Sequence, residues 1–237
     1  MLDVNGARLW LTDEGAGPPL LLLSGGPGCE DYLAPVAAML VGIARTVRVE
    51  PRGCGRSSQG GPYDLETTLA DLEAVRSALG IERWIVGGHS WGADLALAYA
   101  LEHTARACAL LHLCGTGVQN DRDWSVAYHR GVEAGRDQTP IPEPSYNPEV
   151  HREALASWRS FIKRPALPRL ISRLDLPALI LCGANDIRPS WPLEQLALLL
   201  PQAEFVKLTG AGHVPWLTHA DELAEVMGAF VRRAASA

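Results

Sequence analysis

The stretch Gly88-His89-Ser90-Trp91-Gly92 constrains this chain more than any other. The apolar run Arg83–Gly87 precedes it and reads as a buried strand. Strong helix formers follow it from Ala93 to Leu101. Ser90 therefore sits where a strand turns sharply into a helix. A side chain at either flanking position would crowd that crossing, so glycine suits positions 88 and 92. Such a turn lifts the serine hydroxyl clear of the sheet. It also aims the first N–H groups of the helix at whatever the serine attacks. The plain alternative is a glycine-rich turn with an incidental serine, and the rest of the chain decides between the two.

Strand-like runs recur on both sides of this turn. Leu2–Val4 and Ala7–Leu11 flank Asn5-Gly6, a pair suited to a tight hairpin turn. Pro19–Leu23 is continuously apolar, as in a strand covered on both faces, and ends in Ser24-Gly25-Gly26-Pro27-Gly28. A modest helix is expected over Ala34–Val41. Thr46–Glu50 is another strand, closed by Pro51-Arg52-Gly53. Leu65, Leu69, Leu72, Val75 and Leu79 recur at helical spacing before Gly80. Ala107–Leu113, Pro177–Cys182 and Ala203–Leu208 read as further strands. Leu223, Val226, Met227 and Phe230 give the last helix its apolar face, with Thr218 and Asp221 as its capping box. This alternation predicts an α/β fold: a mostly parallel sheet with helices on both faces and the ligand site at the carboxyl ends of the strands.

Residues 1–117 and 170–237 form the expected core. Residues 118–169 contain no strand-like run. They carry Trp124, Tyr128, Tyr146 and Trp158 and a proline cluster at Pro140, Pro142, Pro144 and Pro148. Asn147-Pro148 reads as a helix start, and Val150, Ala154, Trp158 and Ile162 repeat every four residues. The reading is a small inserted helical lid, with Trp124, Tyr128 and Trp158 as candidate substrate contacts. A surface excursion without a binding role is the alternative.

Composition narrows the class. The 237 residues are 47% hydrophobic and 20% charged, which fits one globular domain with a sizeable core. The net charge is -6 with no lysine or arginine cluster, so nucleic acid is not an expected partner. No apolar run approaches the roughly 20 residues that span a bilayer, and the N-terminus lacks a basic stretch followed by an apolar one. The five cysteines show no paired spacing, as expected for free thiols in a reducing compartment. The expectation is a cytoplasmic protein without metal or other cofactor, acting on a small molecule or short peptide.

A serine hydroxyl needs a base to take its proton, and the base needs a third group to fix its tautomer. On this topology the chain order is serine, acid, histidine. Asp186 in Gly183-Ala184-Asn185-Asp186 and His213 in Gly210-Ala211-Gly212-His213 both follow predicted strands and fit that order. His89 adjoins the serine and is expected to point elsewhere, His103 and His112 fall on core elements, His129 and His151 lie in the lid, and His219 opens the last helix. Asp175 precedes its strand and belongs to the opposite edge of the sheet. Asp94, one turn into the helix after Ser90, is expected to be solvated. The oxyanion donors are the N–H groups of Trp91 and Gly26, with Gly25 as the next choice and a substrate contact. Arg52 could hold a loop carboxylate or the substrate, and is read as structural. Cys29 and Cys54 sit in nearby loops, and neither displaces Ser90 as nucleophile.

Taken together, Ser90, Asp186, His213 and the inserted segment resemble the α/β-hydrolase fold over essentially the whole chain. Three stretches are similar to the proline iminopeptidase group of serine peptidases. Ser24-Gly25-Gly26-Pro27-Gly28 resembles its His-Gly-Gly-Pro-Gly loop, Glu50-Pro51-Arg52-Gly53 its Asp-Gln-Arg-Gly, and Gly88–Gly92 with Leu95–Ala100 its elbow and helix. The resemblance implies release of an N-terminal residue, often proline, from small peptides or amides. Ser24, Glu50 and Pro51 depart from that pattern, and the lid is much shorter. In that group lid glutamates hold the substrate's amino group, and Glu133, Glu143, Glu149 and Glu153 match no such motif here. The expected activity is a serine hydrolase, iminopeptidase-like, with a carboxylesterase or lactonase as the alternative. A non-catalytic binding protein on the same fold is the rival of another class. An aspartate-nucleophile hydrolase is disfavoured by serine at position 90.

Overall fold

In the strand Pro19–Leu23 every leucine is buried, and alternate side chains enter different cores. Leu21 and Leu23 join one apolar cluster and Leu20 and Leu22 the other. A strand that is apolar on both faces must lie inside a sheet with cover on both sides, and the whole architecture follows from that. The computed structural model describes residues 1–118, 122–136 and 145–236. Along it run β1 (Leu2–Val4), β2 (Ala7–Gly15), β3 (Pro19–Leu23), α1 (Ala34–Ala38), β4 (Arg45–Glu50), α2 (Leu65–Ala78), β5 (Trp84–His89) and α3 (Trp91–Glu102). Next come β6 (Ala107–Leu113), α4 (Arg122–Glu133), α5 (Pro148–Phe161), α6 (Leu167–Ile171), β7 (Ala178–Gly183), α7 (Trp191–Leu199), β8 (Ala203–Leu208) and α8 (Ala220–Ala234).

The described residues form an eight-stranded sheet in the order β1-β2-β4-β3-β5-β6-β7-β8. The β1–β2 and β2–β4 pairs are antiparallel and the rest parallel. Side chains of α2, α3, α5, α6 and α7 pack into the first cluster, and those of α1 and α8 into the second. The expected α/β architecture, with its mostly parallel sheet covered on both faces, is the observed one. No helix of the described residues is long and apolar enough to cross a membrane.

Local details depart from the sequence-based expectations at four places. First, β2 runs on to Gly15, because its outer half pairs with β4 from Trp10↔Glu50 to Gly15↔Arg45. Second, α1 ends at Ala38, as Leu40 N–H turns back to Ala37 O and the chain tightens before Gly42. Third, no capping box forms at α8. A 3₁₀ turn over Pro215–Leu217 leads into it, His219 takes the N-cap position, and Thr218 Oγ1 pairs with the His219 ring instead.

The fourth departure matters most. Asp94 is not solvated but fully buried. Its carboxylate accepts from Thr116 N–H (3.1 Å), Thr116 Oγ1–H (2.5 Å), Gly117 N–H (3.0 Å) and, at 3.2 Å, His112 Nε2. It thereby fixes the point where the inserted segment leaves β6. The segment is pinned again at its return: Asn147 N–H donates to Gly28 O (3.0 Å), Asn147 Nδ2 to Gly53 O (3.0 Å), and Asn147 caps α5 as expected. The buried stripe of α5 is Val150, Ala154, Trp158 and Phe161, with Ile162 only half-buried. Pro140, Pro142, Glu143 and Pro144 lie outside the described residues.

A buried carboxylate with four donors leaves those donors stranded when it is removed. Asp94→Ala is expected to destabilise the fold by about 3–5 kcal/mol, and Asp94→Asn by less because one acceptor oxygen survives. Urea denaturation of the three proteins checks both values.

Candidate functional site

Ser90 has φ 57° and ψ −127°, a region that a residue with a side chain rarely enters. The surrounding contacts leave it little choice. A Cβ on Gly92 would run into the Leu23 carbonyl, and one on Gly88 into the backbone of Gly92. The end of β5 and the start of α3 thus cross at van der Waals distance over the end of β3. Ser90 N–H is held by Leu113 O at 2.8 Å. The next N–H, of Trp91, opens α3, where the first donors of a helix have no partner within it.

Asp186 and His213 come from the loops after β7 and β8, at the same edge of the sheet. The structure brings them together: His213 Nδ1 lies 2.6 Å from Asp186 Oδ2, with both side chains buried. A carboxylate accepts only, so Nδ1 carries the proton and Nε2 is left as the basic nitrogen. The two loops approach this closely because Gly183 has no side chain; a Cβ there would strike the carbonyls of Ala211 and Gly212. Burial pushes the Asp186 carboxyl up, but the His213 hydrogen bond and charge together with Arg188 outweigh it and hold the group below its usual value.

Arg188 had no signal in the sequence reading. Its backbone N–H (2.9 Å) and Nη1 (3.2 Å) both donate to Asp186 Oδ1, so the two carboxylate oxygens are gripped from opposite sides. Its guanidinium also lies 5.4 Å from the centre of the Tyr128 ring, on which Trp124 stacks at 5.4 Å. Two of the three candidate lid aromatics therefore stand over the loop of the candidate acid. The third, Trp158, is packed in the apolar core and stacked on Phe161.

The glycine loop after β3 touches Ser90 directly. A Cβ on Gly25 would lie 2.6 Å from Ser90 Cβ. Gly25 N–H is already bound to Tyr32 Oη at 2.6 Å, which removes Gly25 as an oxyanion donor and leaves Gly26, at φ 57°, as the candidate beside Trp91. Tyr32 Oη also meets His89 Nδ1 at 2.8 Å, and His89 Nε2 meets the His213 carbonyl at 2.7 Å. So His89 does point away from the serine position, into a buried aromatic box with Tyr32 and Trp216. Ser24, where the resembled group has histidine, accepts from Tyr32 N–H and donates to Asp31.

The remaining candidates are settled by their partners. Arg52 is structural as expected: it makes a two-pronged contact with buried Asp71, 2.6 Å at each oxygen, and also bonds the Asn5 carbonyl. Asp175 binds Gln202. Burial raises the thiols of Cys29, Cys54 (to about 12), Cys114 and Cys182 (to about 11), so none is poised as a nucleophile. His89, Cys114 and His213 bring donor atoms within 4.8 Å of one another. Three of the four imidazole nitrogens there are committed to Tyr32, the His213 carbonyl and Asp186, so the group does not fit a metal. A cavity of about 460 Å³ between α2, α3 and α5, lined by Leu65, Leu69, His103, Phe161 and Arg164 among others, contains none of the candidate residues.

Comparison with known proteins agrees with the fold. A family described as alpha/beta hydrolase fold matches residues 18–134. The chain is 39% identical to the proline iminopeptidase of Neisseria gonorrhoeae over 104 residues, which is 40% of this chain and 32% of that protein. The match thus spans about a third of the relative's length. The proline iminopeptidase of Lactobacillus delbrueckii subsp. lactis is 26% identical over 84% of this chain and 85% of its own. Among solved structures, a thermophilic esterase from Thermogutta terrifontis superposes with a TM-score of 0.77 at 24% identity, covering 95% of this chain and 93% of that one.

The lowered Asp186 carboxyl makes a testable contribution to stability. A carboxylate whose folded-state pKa lies below its unfolded value stabilises the fold above the unfolded value, roughly pH 4, and the contribution is lost as the pH falls through the folded one. The stability difference between wild type and Asp186→Asn is therefore expected to be constant above about pH 5 and to change in favour of the variant below about pH 4. Urea midpoints measured across pH 3–7 check the sign.

Proposed function

Because the chain has the α/β-hydrolase fold and resembles the proline iminopeptidases, we propose that it is a serine hydrolase of small amides or esters working through an acyl-enzyme. The observation that carries the reading is the 2.6 Å contact between His213 Nδ1 and Asp186 Oδ2 at the sheet edge where the Ser90 turn also emerges. Ser90 Oγ attacks the carbonyl carbon while His213 Nε2 takes its proton. Asp186 keeps His213 in the Nδ1–H tautomer and balances the imidazolium that forms. The N–H groups of Gly26 and Trp91 stabilise the oxyanion. His213 then protonates the leaving group, and a water activated by the same nitrogen releases the acyl group from Ser90. Residues 118–169 act as the lid, with Trp124 and Tyr128 lining its inner side. The free thiols fit a reducing compartment, and the proposed setting is the cytoplasm.

The relatives favour a prolyl amide as substrate. One observation favours the second reading, a small ester. An iminopeptidase needs carboxylates for the substrate's amino group, yet Glu153 accepts from Tyr63 N–H (3.3 Å) and Arg152 (3.4 Å), and Glu149 faces Arg152 at 3.7 Å.

Ser90→Ala and His213→Ala are each expected to lower kcat by about 10⁴- to 10⁶-fold. The substrate class is decided by assaying prolyl-p-nitroanilide and a short-chain p-nitrophenyl ester side by side. Turnover of the amide, lost in Ser90→Ala, supports the iminopeptidase reading; turnover of the ester alone, equally lost, supports the esterase. Wild-type rates in Ser90→Ala overturn both. A fluorophosphonate that fails to label wild type at Ser90 favours the non-catalytic rival.

A further inference from the structure

Oxyanion stabilisation works only when the donors are held in place before the charge develops. In this chain the proposed second donor stands in Gly25-Gly26, a pair of residues with almost no conformational restraint of their own. Something must hold it. Gly26 adopts φ 57°, and its neighbour's amide is tied by a single bond, Gly25 N–H to Tyr32 Oη at 2.6 Å. That bond is the first of three in a row.

The directions of all three follow from one fact. The His213 carbonyl can only accept, so His89 Nε2 carries the proton and donates across the 2.7 Å contact. Neutral His89 then has a lone pair on Nδ1, and Tyr32 Oη donates to it across 2.8 Å. The phenol oxygen, with its own hydrogen directed at His89, accepts from Gly25. The chain therefore runs Gly25 N–H to Tyr32 Oη–H to His89 Nδ1, and His89 Nε2–H to the carbonyl of His213. It joins the loop of the proposed oxyanion donor, the residue before the proposed nucleophile and the residue proposed as base. The three lie after β3, at the last residue of β5 and after β8.

We infer that Tyr32 and His89 are positioning residues, a buried strut that sets the Gly25 amide, next in the chain to the Gly26 donor, and the His213 backbone in register with Ser90. The inference rests on the serine-hydrolase reading above. Both members are well anchored for this. Tyr32 stacks on Trp216 with ring centres 6.2 Å apart, and its N–H is held by Ser24 Oγ at 3.1 Å. Ser24 is in turn fixed by Asp31, whose other oxygen is paired with buried Arg48. His89 lies edge-on to Trp216 at 4.7 Å and is 1% exposed. Burial and the neighbouring His213 keep His89 well below the usual histidine range, so it stays neutral and the bond directions persist. Burial likewise raises Tyr32, which keeps its hydroxyl proton.

Tyr32→Phe tests the strut, because it keeps the ring on Trp216 and removes only the oxygen. Positioning of a transition-state donor acts on kcat and not on KM. The expected result is a fall in kcat of about 10- to 100-fold with KM within about twofold, and a parallel fall in the rate of Ser90 labelling by a fluorophosphonate. An unchanged kcat and labelling rate in a folded Tyr32→Phe overturns the inference, as does an effect confined to KM. The second measurement needs no variant and no substrate: ¹⁵N-histidine NMR of wild type is expected to show His89 as the neutral Nε2–H tautomer at pH 7. A Nδ1–H tautomer or a charged ring overturns the strut. Turnover that survives Ser90→Ala instead sinks the serine-hydrolase reading, and the tautomer then still decides whether the strut exists.

Discussion

Everything at the candidate site hangs on one steric crossing. The first turn of α3 passes over the end of β3 so closely that only hydrogen fits at Gly88 and Gly92. The turn in between forces Ser90 into φ 57°, a conformation that costs about 1–3 kcal/mol for a residue with a side chain. Such strain persists only where the surroundings over-determine it. Here β5 is buried throughout and α3 is buried from Trp91 to Ala100, so neither element can shift to relieve the turn. The same crossing brings Gly25 against Ser90 Cβ, which is why the loop after β3 and the turn after β5 share one small volume.

Buried charge holds the surrounding loops, and it does so in pairs. Glu50, at the end of β4, accepts from the backbone N–H of Asp31 in the β3 loop and of Arg56 in the β4 loop, so one carboxylate ties two loops. Arg56 closes the arrangement by lying 3.2 Å from the centre of the Trp10 ring. Arg52 with Asp71 and Arg48 with Asp31 brace the same region. Pairs of this kind add little net stability over apolar packing, yet each becomes costly once a partner is lost. Their effect is to specify one arrangement of loops that would otherwise have many. Asp94 does the same for the root of the inserted segment.

How much of this was legible depended on where the information resides. The strands from Pro19 to Leu208 and the Ser90 turn are written in local apolar runs and glycine spacing, which is why their positions along the chain and the sheet edge their loops share could be read directly, while the strand order in the sheet could not. Asp186 and His213 were readable because both end strand-to-loop transitions in a known order. Tyr32 and Arg188 were not, since their roles come from contacts across the sheet edge that no local pattern encodes. Asp94 is the instructive case. Its place one turn into α3 suggests a solvated residue, yet it stands in a helix that is apolar on every side, where a lone carboxylate has no wet face to occupy. The missing capping box at Thr218 failed for the opposite reason: the right residue types were present, but a 3₁₀ turn ahead of α8 aimed the hydroxyl elsewhere.

The half of the molecule proposed as a lid obeys looser rules than the half that carries the Ser90 turn. A nucleophile turn is fixed by backbone sterics and leaves a sequence signature. A helix laid over a core needs only an apolar stripe on its inner side, such as Val150, Ala154, Trp158 and Phe161 on α5, and its other positions are free to differ. The two halves meet at Tyr128 and Arg188. Arg188 grips the Asp186 oxygen that His213 does not while it lies against the Tyr128 ring, so one guanidinium joins α4 to the loop after β7.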